Sequence, residues 1–321
     1  MSGADGRFGS LRPAPSSRNI GRLIRRPIVL LGLPRSGTST LMAMLSTHPA
    51  LWSLHRESTH IVEDLSFHPM RHGWSHELSA DDLDESARRD LERRFYREAG
   101  NLEVLPFSRF APVRGRGKRR AAQAITLVSR PFRRPPIRIV EKSVPNVMRI
   151  MFLRELFPDA QFLHLTRHPR ANLAAMYRGW NNTERHNDYP LPDGFRIVGY
   201  EGNAWAFFLP PRWQSCDGRT LMDVCELQWR MGHERCLAAS NILPAGDYLR
   251  LKFEDLLVSP TEALGSVASW AGIDPAPFDR FSARLPRINA GSSSSSSEVP
   301  GEALARAVEE LEPLTRRLGY E

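Results

Sequence analysis

Several features are scarce or missing in this sequence, and each absence excludes a class of protein. Its 321 residues include only 3 cysteines, an odd number without C-x-x-C spacing, which argues against a disulfide framework or a thiolate zinc site. No apolar run approaches the ~18 residues of a membrane span. Residues 1–26 have arginines but no apolar core, so a disordered tail is expected rather than a secretory signal. The cysteine usage predicts a reducing, cytoplasmic compartment. The chain is long enough to bury a full core over residues 27–321 as one large or two small domains.

The net charge of +8 arises from two basic segments rather than from the whole surface. Residues 1–26 hold six arginines and one aspartate, and residues 109–138 hold ten lysines or arginines and no acid. The second segment could be an arm that binds nucleic acid, or a surface that attracts anionic substrates, both a group donor and its acceptor. A solvated insert is the favoured interpretation, because blocks of like charge tend to be disordered. Nucleic acid is therefore not expected as a partner.

A glycine-bounded loop near the start of the globular region is the most informative motif. The apolar run Ile28–Leu31 is followed by a turn between Gly32 and Gly37 and then by a helix-compatible run. This arrangement presents backbone N–H groups and a positive helix end to an anion. The glycines have the spacing of the nucleoside-triphosphate loop G-x-x-x-x-G-K-[ST], but Thr38 replaces the lysine and the charge lies inside the loop at Arg35. The loop is predicted to hold a 5′-phosphate without contacting β- and γ-phosphates.

The loop resembles that of the sulfotransferases that use 3′-phosphoadenosine-5′-phosphosulfate (PAPS). The branch with the protein-tyrosine sulfotransferases and many bacterial enzymes is especially similar. Other segments agree in the same order: Ala43-Met-Leu-Ser-Thr-His-Pro49, Val140-Glu-Lys-Ser-Val-Pro-Asn146, Phe157 to Arg170, Tyr248 to Leu257 and Leu318-Gly-Tyr320. The resemblance implies an α/β, P-loop-like three-layer fold with a central parallel sheet and helices on both faces. It also implies sulfuryl transfer to a hydroxyl or amine, with 3′,5′-bisphosphoadenosine (PAP) as product and no metal.

The resemblance further implies which residues bind the donor. The residues carried over to the 5′-phosphosulfate loop are Pro34, Arg35, Ser36, Gly37, Thr38 and Ser39. Arg167 is carried over to the 3′-phosphate, and it ends a predicted strand, where open α/β sheets bind ligands. A guanidinium also matches a phosphate with two hydrogen bonds. The family serine eight residues later is Ala175 here, so this site lacks a hydroxyl or borrows a donor from Asn172 or elsewhere.

The same resemblance identifies catalytic candidates. Glu57 occupies the place of the branch's catalytic base, although an isolated glutamate is more often a surface residue. His55 is the rival, because another sulfotransferase branch uses histidine and imidazole needs less tuning of its pKa. Lys142 and Arg35 are the candidates for stabilising charge on the oxygen that bridges sulfur and phosphate.

The remaining patterns complete the expected organisation. Strands are predicted at 28–31, 137–141, 161–166 and 247–253, and helices at 37–47, 81–98, 145–156, 169–179, 220–239, 260–271 and 301–318. The variable segment of about 181–218 is assigned to the acceptor side, and its aromatic residues either line a pocket or pack in the core. His68, His72 and His76 are four apart, but Pro69 and Gly73 argue against a helical metal site.

Two other functions are compatible with the same residues. A phosphotransferase would use the loop in a degenerate form, and a non-catalytic nucleotide- or nucleic-acid-binding protein would use the basic segment. The acceptor is left open between a small molecule, a sugar, a lipid and a peptide, as is the oligomeric state. The run Ser292–Ser297 is predicted to be mobile, and it is an unusual form of the loop that often helps to close over the nucleotide in the family.

Overall fold

The structure of the chain is a computed structural model that describes residues 23–54, 57–63, 67–71, 74–99, 135–181, 187–278 and 298–321. Most of the predicted tail, residues 109–134 of the basic segment and the Ser292–Ser297 run lie outside these ranges. In chain order the strands are β1 (Ile28–Leu31), β2 (Trp52–Ser53), β3 (Ile139–Lys142), β4 (Gln161–Thr166), β5 (Asn187–Pro190), β6 (Ala204–Ala206) and β7 (Tyr248–Lys252).

Five of these strands form one parallel sheet in the order β2-β3-β1-β4-β7, and β5 and β6 form a separate antiparallel pair. β1 is central: Leu30 is in register with Lys142 of β3 on one side and with Leu163 of β4 on the other. Because the five strands run in the same direction, their carboxyl ends lie along one edge, where open α/β sheets bind ligands. The predicted central parallel sheet is confirmed.

Helices cover both faces of this sheet. In chain order the α-helices are α1 (Thr38–Leu45), α2 (Thr59–Val62), α3 (Glu85–Ala99), α4 (Ile150–Leu156), α5 (Pro169–Trp180), α6 (Leu221–Ile242), α7 (Phe253–Val258), α8 (Pro260–Ala271), α9 (Gly301–Glu310) and α10 (Glu312–Arg317). Side chains of β1 alternate between two cores. Val29 and Leu31 pack with α2 to α6, α9 and α10, whereas Ile28 and Leu30 pack with α1, α7 and α8. The predicted three layers are therefore present. Within the described ranges no helix is long and apolar enough to cross a bilayer.

Two predicted helices are interrupted. The segment expected as one helix over 145–156 is a 3-10 helix at Val144–Met148 followed by α4, because Arg149 has non-helical dihedral angles (φ −132°, ψ 33°). The terminal helix expected over 301–318 breaks at Leu311, next to a proline in the first turn of α10. Proline lacks the N–H that would continue the ladder of i to i−4 hydrogen bonds, so the chain starts a new helix there.

The aromatic residues between positions 177 and 213 are mostly core residues. Trp180, Trp205 and Trp213 are at most 1% exposed. The ring of Trp205 lies 5.1 Å from that of Trp180 and 5.2 Å from that of Trp213, in edge-to-face arrangements. The indole N–H of Trp180 donates to Gln228 Oε1 at 3.1 Å. Packing, rather than a pocket lining, accounts for these three rings.

A buried hydrogen-bonded chain of two histidines and a tyrosine ties β4 to α6 and β7. The hydroxyl of Tyr248 lies 2.8 Å from His164 Nδ1, and His164 Nε2 lies 3.0 Å from His233 Nδ1. Both imidazoles are completely buried. Burial, reinforced by the charge of Arg250, lowers the pKa of His164 to about 3. Burial also holds the pKa of His233 well below its usual value. Both rings are therefore neutral in the folded protein at pH 7.

This buried pair is expected to make the fold sensitive to acid. Below about pH 6.5 the unfolded chain protonates both histidines while the folded chain does not, so unfolding is favoured as the pH falls toward 3. His164 contributes a loss of about 2 kcal/mol between pH 7.5 and 5, and His233 acts in the same direction. Urea unfolding of wild type and His164→Gln at pH 7.5 and at pH 5 measures the change in the free energy of unfolding. The variant should lose less stability than wild type over that interval, and an equal loss would contradict the assignment.

Candidate active site

The loop Gly32–Gly37 joins β1 to α1 at the carboxyl edge of the sheet. The N–H of Ser36 donates to Leu33 O at 3.2 Å, and Asn172 Nδ2 from α5 donates to Pro34 O at 2.8 Å. Ser36 is completely buried, and its hydroxyl has no hydrogen-bond partner among the described residues. No described side chain caps the N-terminus of α1. An unsatisfied hydroxyl beside an uncapped helix end suits an anion.

The two glycines of the loop are required by its shape. Gly37 has φ +99°, and a Cβ there would lie 2.3 Å from the ring of Phe253 in α7. A Cβ on Gly32 would lie 2.5 Å from Thr38 Cγ2 and 3.1 Å from Leu165 O. The loop is therefore held between the start of its own helix and the ends of the neighbouring strands.

Arg35 projects from the loop along α5. Its backbone is left-handed, with φ 63°, and its carbonyl accepts a hydrogen bond from Arg167 Nη1 at 2.8 Å. A Cβ built on Gly179 would lie 3.5 Å from Arg35 Cδ and 2.7 Å from Phe207 Cζ. Glycine at position 179 thus allows the Arg35 side chain and the Phe207 ring to approach the helix.

Lys142 and Glu57 meet beside the loop. The ammonium group of Lys142, at the end of β3, forms an ion pair with Glu57 Oε1 and donates to Ser39 Oγ at 3.3 Å. The second oxygen of Glu57 accepts the N–H of Val144 at 3.2 Å. Lys142 is 9% exposed, whereas the Glu57 side chain is 40% exposed. The predicted residues Glu57, Lys142 and Ser39 are therefore brought together, and His55 lies outside the described residues.

Arg167 follows β4 and lies close to the loop and to two other arginines. Its guanidinium carbon lies 5.1 Å from the centre of the Phe253 ring. Burial lowers the pKa of Arg167, the charge of Glu254 opposes this, and the charges of Arg35 and Arg178 lower it further. Repulsion between cations that gather around one point is relieved by an anion bound among them.

Arg178 occupies the face of α5 on which the family serine is missing. Ala175 is buried, and Arg178 is one turn further along the helix. The charge of Arg178 reaches Arg167, because it is among the charges that lower the pKa of Arg167. Asn172, the other substitute considered for the serine, instead donates its amide to the loop carbonyl of Pro34.

The C-terminus packs against the same end of the sheet. The hydroxyl of Tyr320 donates to Glu254 Oε2 at 2.9 Å and lies 3.0 Å from Thr166 Oγ1. The other Glu254 oxygen accepts the N–H of His168 at 3.0 Å, at the start of α5. Burial raises the pKa of Tyr320, so its hydroxyl stays protonated and able to donate. Glu254 is thereby held beside Arg167.

Metal ligands are a separate matter. Among the described residues, no group of three His, Cys, Asp or Glu side chains is arranged to hold a metal ion. His76, part of the histidine-rich stretch, accepts the N–H of Leu209 at 2.7 Å through Nδ1 and contacts the Tyr189 hydroxyl at 2.8 Å through Nε2. Both of its ring nitrogens are therefore used in structural hydrogen bonds.

Comparison with known proteins identifies the family. The model of the sulfotransferase family matches residues 27–196, which is more than half of the 321 residues. This chain belongs to the sulfotransferase family. The matched region includes the loop, Glu57, Lys142 and Arg167, whereas the blocks around Tyr248 and Tyr320 lie outside it. No curated protein matches the chain significantly.

Solved sulfotransferase structures are similar at low sequence identity. Sulfotransferase STF9 from Mycobacterium avium has 15% identity and a TM-score of 0.49, over 92% of this chain and 78% of that chain. The sulfotransferase from Alicyclobacillus acidocaldarius has 13% identity and a TM-score of 0.47, over 92% and 97%. The sulfotransferase domain from the Synechococcus PCC 7002 olefin synthase has 16% identity and a TM-score of 0.43, over 94% and 98%.

Some residues of the candidate site were not predicted as such from the sequence. Arg178 was missed, although its spacing of three residues from Ala175 on a predicted helix was a usable signal. Glu254 and Tyr320 were noted only as parts of family blocks. Glu141 was likewise noted only as part of the block Val140 to Asn146, and its contact with Ser58, 83 positions away, had no sequence signal.

The glycine loop provides a structural prediction. Gly37→Ala should destabilise the protein, because a left-handed conformation costs a non-glycine residue roughly 1–2 kcal/mol and the new methyl group would clash with Phe253. Gly265→Ala, in the interior of α8 with nothing within 4 Å of the new methyl group, is the matched control. It should instead stabilise by roughly 0.5–1 kcal/mol. Urea midpoints of the three proteins measure the difference, and equal midpoints for both variants would contradict the described loop geometry.

Proposed function

We propose that this chain transfers a sulfuryl group from PAPS to an acceptor hydroxyl or amine, with Glu57 as the general base. The observation that carries the proposal is the double contact of Lys142, which joins the Glu57 carboxylate to Ser39 in the first turn of α1, directly after the glycine loop. It brings a proton acceptor, a cation and an anion-binding loop to one point. Membership of the sulfotransferase family supports the same reaction.

The chemistry follows from these three elements. The acceptor oxygen attacks sulfur as the bond from sulfur to the bridging oxygen of the 5′-phosphate breaks. Glu57 takes the proton of the acceptor, and PAP leaves with the negative charge that develops on the bridging oxygen. Lys142 and Arg35 are the cations proposed to stabilise that charge. Positioning and electrostatics supply most of the rate, as in the related transfer of phosphoryl groups.

The charges of the loop region fit a donor with two phosphorylated positions. Ser36, with its unsatisfied hydroxyl, and the N-terminus of α1 suit the 5′-phosphosulfate. Arg167 and Arg178 lie on the α5 side of the loop and are proposed to share the 3′-phosphate. On this proposal Arg178 supplies the contact for which Ala175 has no side-chain donor.

The role of Glu57 is tested by one isosteric substitution. Glu57→Gln keeps the shape but removes the basic carboxylate, and general-base catalysis contributes roughly 10²–10⁴-fold. Turnover should fall by about that factor, while the affinity for PAP stays near that of wild type. PAP formation from PAPS measures turnover, with phenol as acceptor and with water alone where phenol is not accepted.

The rival histidine provides the comparison for that experiment. His55→Ala should retain most of the turnover, because Glu57 already occupies the position beside Lys142 and the loop. An inactive His55→Ala together with an active Glu57→Gln would transfer the role of base to the histidine.

Calorimetry adds a check on the reaction class. Binding of PAP without Mg²⁺ supports the proposal, whereas Mg²⁺-dependent binding of ATP alone would favour a phosphotransferase.

Arg178 gives a second prediction, which concerns recognition of the donor. Loss of one charge-assisted hydrogen bond costs roughly 1.5–3 kcal/mol, or about 10–150-fold in affinity. Arg178→Ala and Arg167→Ala should both weaken PAP by that factor and weaken adenosine 5′-phosphate much less. Arg170→Ala, an exposed arginine on the same helix, should leave both affinities unchanged. Calorimetric titration of wild type and the three variants with both nucleotides measures these affinities. An equal loss of affinity for PAP and adenosine 5′-phosphate in Arg178→Ala would show that Arg178 does not contact the 3′-phosphate.

A further inference from the structure

Glu141, next to Lys142 in the chain, faces the opposite side of β3 and binds the residue after Glu57. Both of its carboxylate oxygens are used: Ser58 Oγ donates to Oε1, and Asn146 Nδ2 donates to Oε2. Glu141 is 1% exposed and Ser58 is completely buried. A buried carboxylate that accepts two side-chain hydrogen bonds holds both donors in place, because an unsatisfied buried group is costly.

A second set of contacts repeats the connection two residues further along. Ser143 Oγ accepts the N–H of Thr59 at 3.1 Å and lies 3.1 Å from Ser58 Oγ and 3.3 Å from Thr59 Oγ1. Successive strand residues point to opposite faces, so Glu141 contacts one side of β3 and Lys142 the other. Ser143, the extended residue directly after β3, contacts Ser58 as Glu141 does. Three consecutive residues, 57 to 59, are thus joined to three consecutive residues, 141 to 143, by side-chain contacts.

This double connection fixes the part of the chain that carries Glu57. Glu57 lies between a two-residue edge strand, β2, and a one-turn helix, α2. Its own side chain is 40% exposed. Elements this short depend on tertiary contacts for their position. The contacts of Ser58 and Thr59 with β3 supply them, and they lie on the buried side of the strand.

We propose that Glu141 and Ser58 are positioning residues for the reaction: they hold Glu57 against Lys142 without touching the substrates. The inference rests on the proposed function, in which Glu57 is the base. A misplacement of about 1 Å can cost a reaction roughly 100-fold, so the loss of this connection acts on the chemical step. Loss of the connection is not expected to disturb the glycine loop, because that loop is held by Asn172 and by packing against Phe253.

The protonation state of Glu141 does not break the connection. Burial is the main reason that its pKa rises to about 7, the charges of Arg149 and Glu57 acting in opposite directions. The ionised carboxylate accepts from Ser58. The protonated carboxyl donates to Ser58 instead, and the Ser58 hydroxyl then donates to Ser143, because hydroxyl groups act in either direction. Glutamine at position 141 can do the same through its amide, which makes Glu141→Gln a conservative replacement.

The experiment compares Ser58→Ala, Glu141→Ala and Glu141→Gln with wild type. Turnover of PAPS with phenol, or with water alone, is measured together with PAP affinity and the thermal midpoint. Ser58→Ala and Glu141→Ala should lower kcat by about 10–100-fold and leave the affinity for PAP unchanged. Glu141→Gln should restore most of the turnover. Such a split between kcat and binding, with rescue by glutamine, is not expected of a residue that contributes to stability alone.

Glu226→Ala is the matched control. Glu226 in α6 is also a buried carboxylate, and burial raises its pKa to about 7, but it pairs at 2.7 Å with Arg230 of the same helix and interacts with Glu310 of α9. This control should change the thermal midpoint without a selective loss of kcat. If Glu141→Ala does not fold, Ser58→Ala alone tests the positioning role, because it removes a single hydroxyl and disturbs the fold less.

The outcomes separate the inference from the proposal on which it rests. Wild-type kcat in Ser58→Ala and Glu141→Ala, alongside a low kcat in Glu57→Gln, would overturn the positioning role alone. A parallel loss of PAP affinity and kcat in these variants would also overturn it, because the effect would then be on the whole fold. Wild-type turnover in Glu57→Gln would overturn the proposed base and, with it, this inference.

Discussion

The ammonium group of Lys142 is the contact that connects the two parts of the candidate site. It is nearly buried, and a buried charge is tolerated only with partners, which here are the Glu57 carboxylate and the Ser39 hydroxyl. Ser39 is in the first turn of α1, directly after the glycine loop that follows β1, and Glu57 is in the segment after β2. Because β3 lies between β1 and β2 in the sheet, a side chain at its carboxyl end can reach both. The strand order therefore determines which residues meet at this point.

Sequence patterns predicted the main strands and helices well, because local hydrophobic periodicity determines them. The buried strands β1 and β4 and helix α8 have the predicted bounds, and the loop between Gly32 and Gly37 has the conformation that its glycines require. The two interrupted helices show the limit of periodicity. An apolar 3.6-residue pattern continues through Arg149, but the Arg149 backbone leaves the helical region and its Nε donates to Asn146 Oδ1 at 3.1 Å.

Residues of the candidate site could be predicted only where they belong to a sequence motif. The loop residues, Glu57, Lys142 and Arg167 came from a resemblance that depends on short segments in a fixed order. Glu141 and Ser58 are separated by 83 positions, and nothing in the local sequence of either residue indicates their contact. Residues that act through another residue are therefore found from tertiary structure, whereas loop residues with special backbone conformations can be found from sequence.

The proposed function gives two departures from familiar motifs one physical explanation. The loop lacks the lysine of nucleoside-triphosphate loops, yet the Lys142 ammonium contacts Ser39, the residue after the vacant position. Helix α5 lacks the family serine, yet the Arg178 charge acts on Arg167 from one turn beyond Ala175. An anion responds to the positions of charges and donors in space rather than to their order in the chain. A missing motif residue is therefore weak reason to reject a phosphate site until the neighbouring strands and helix faces have been searched for a substitute.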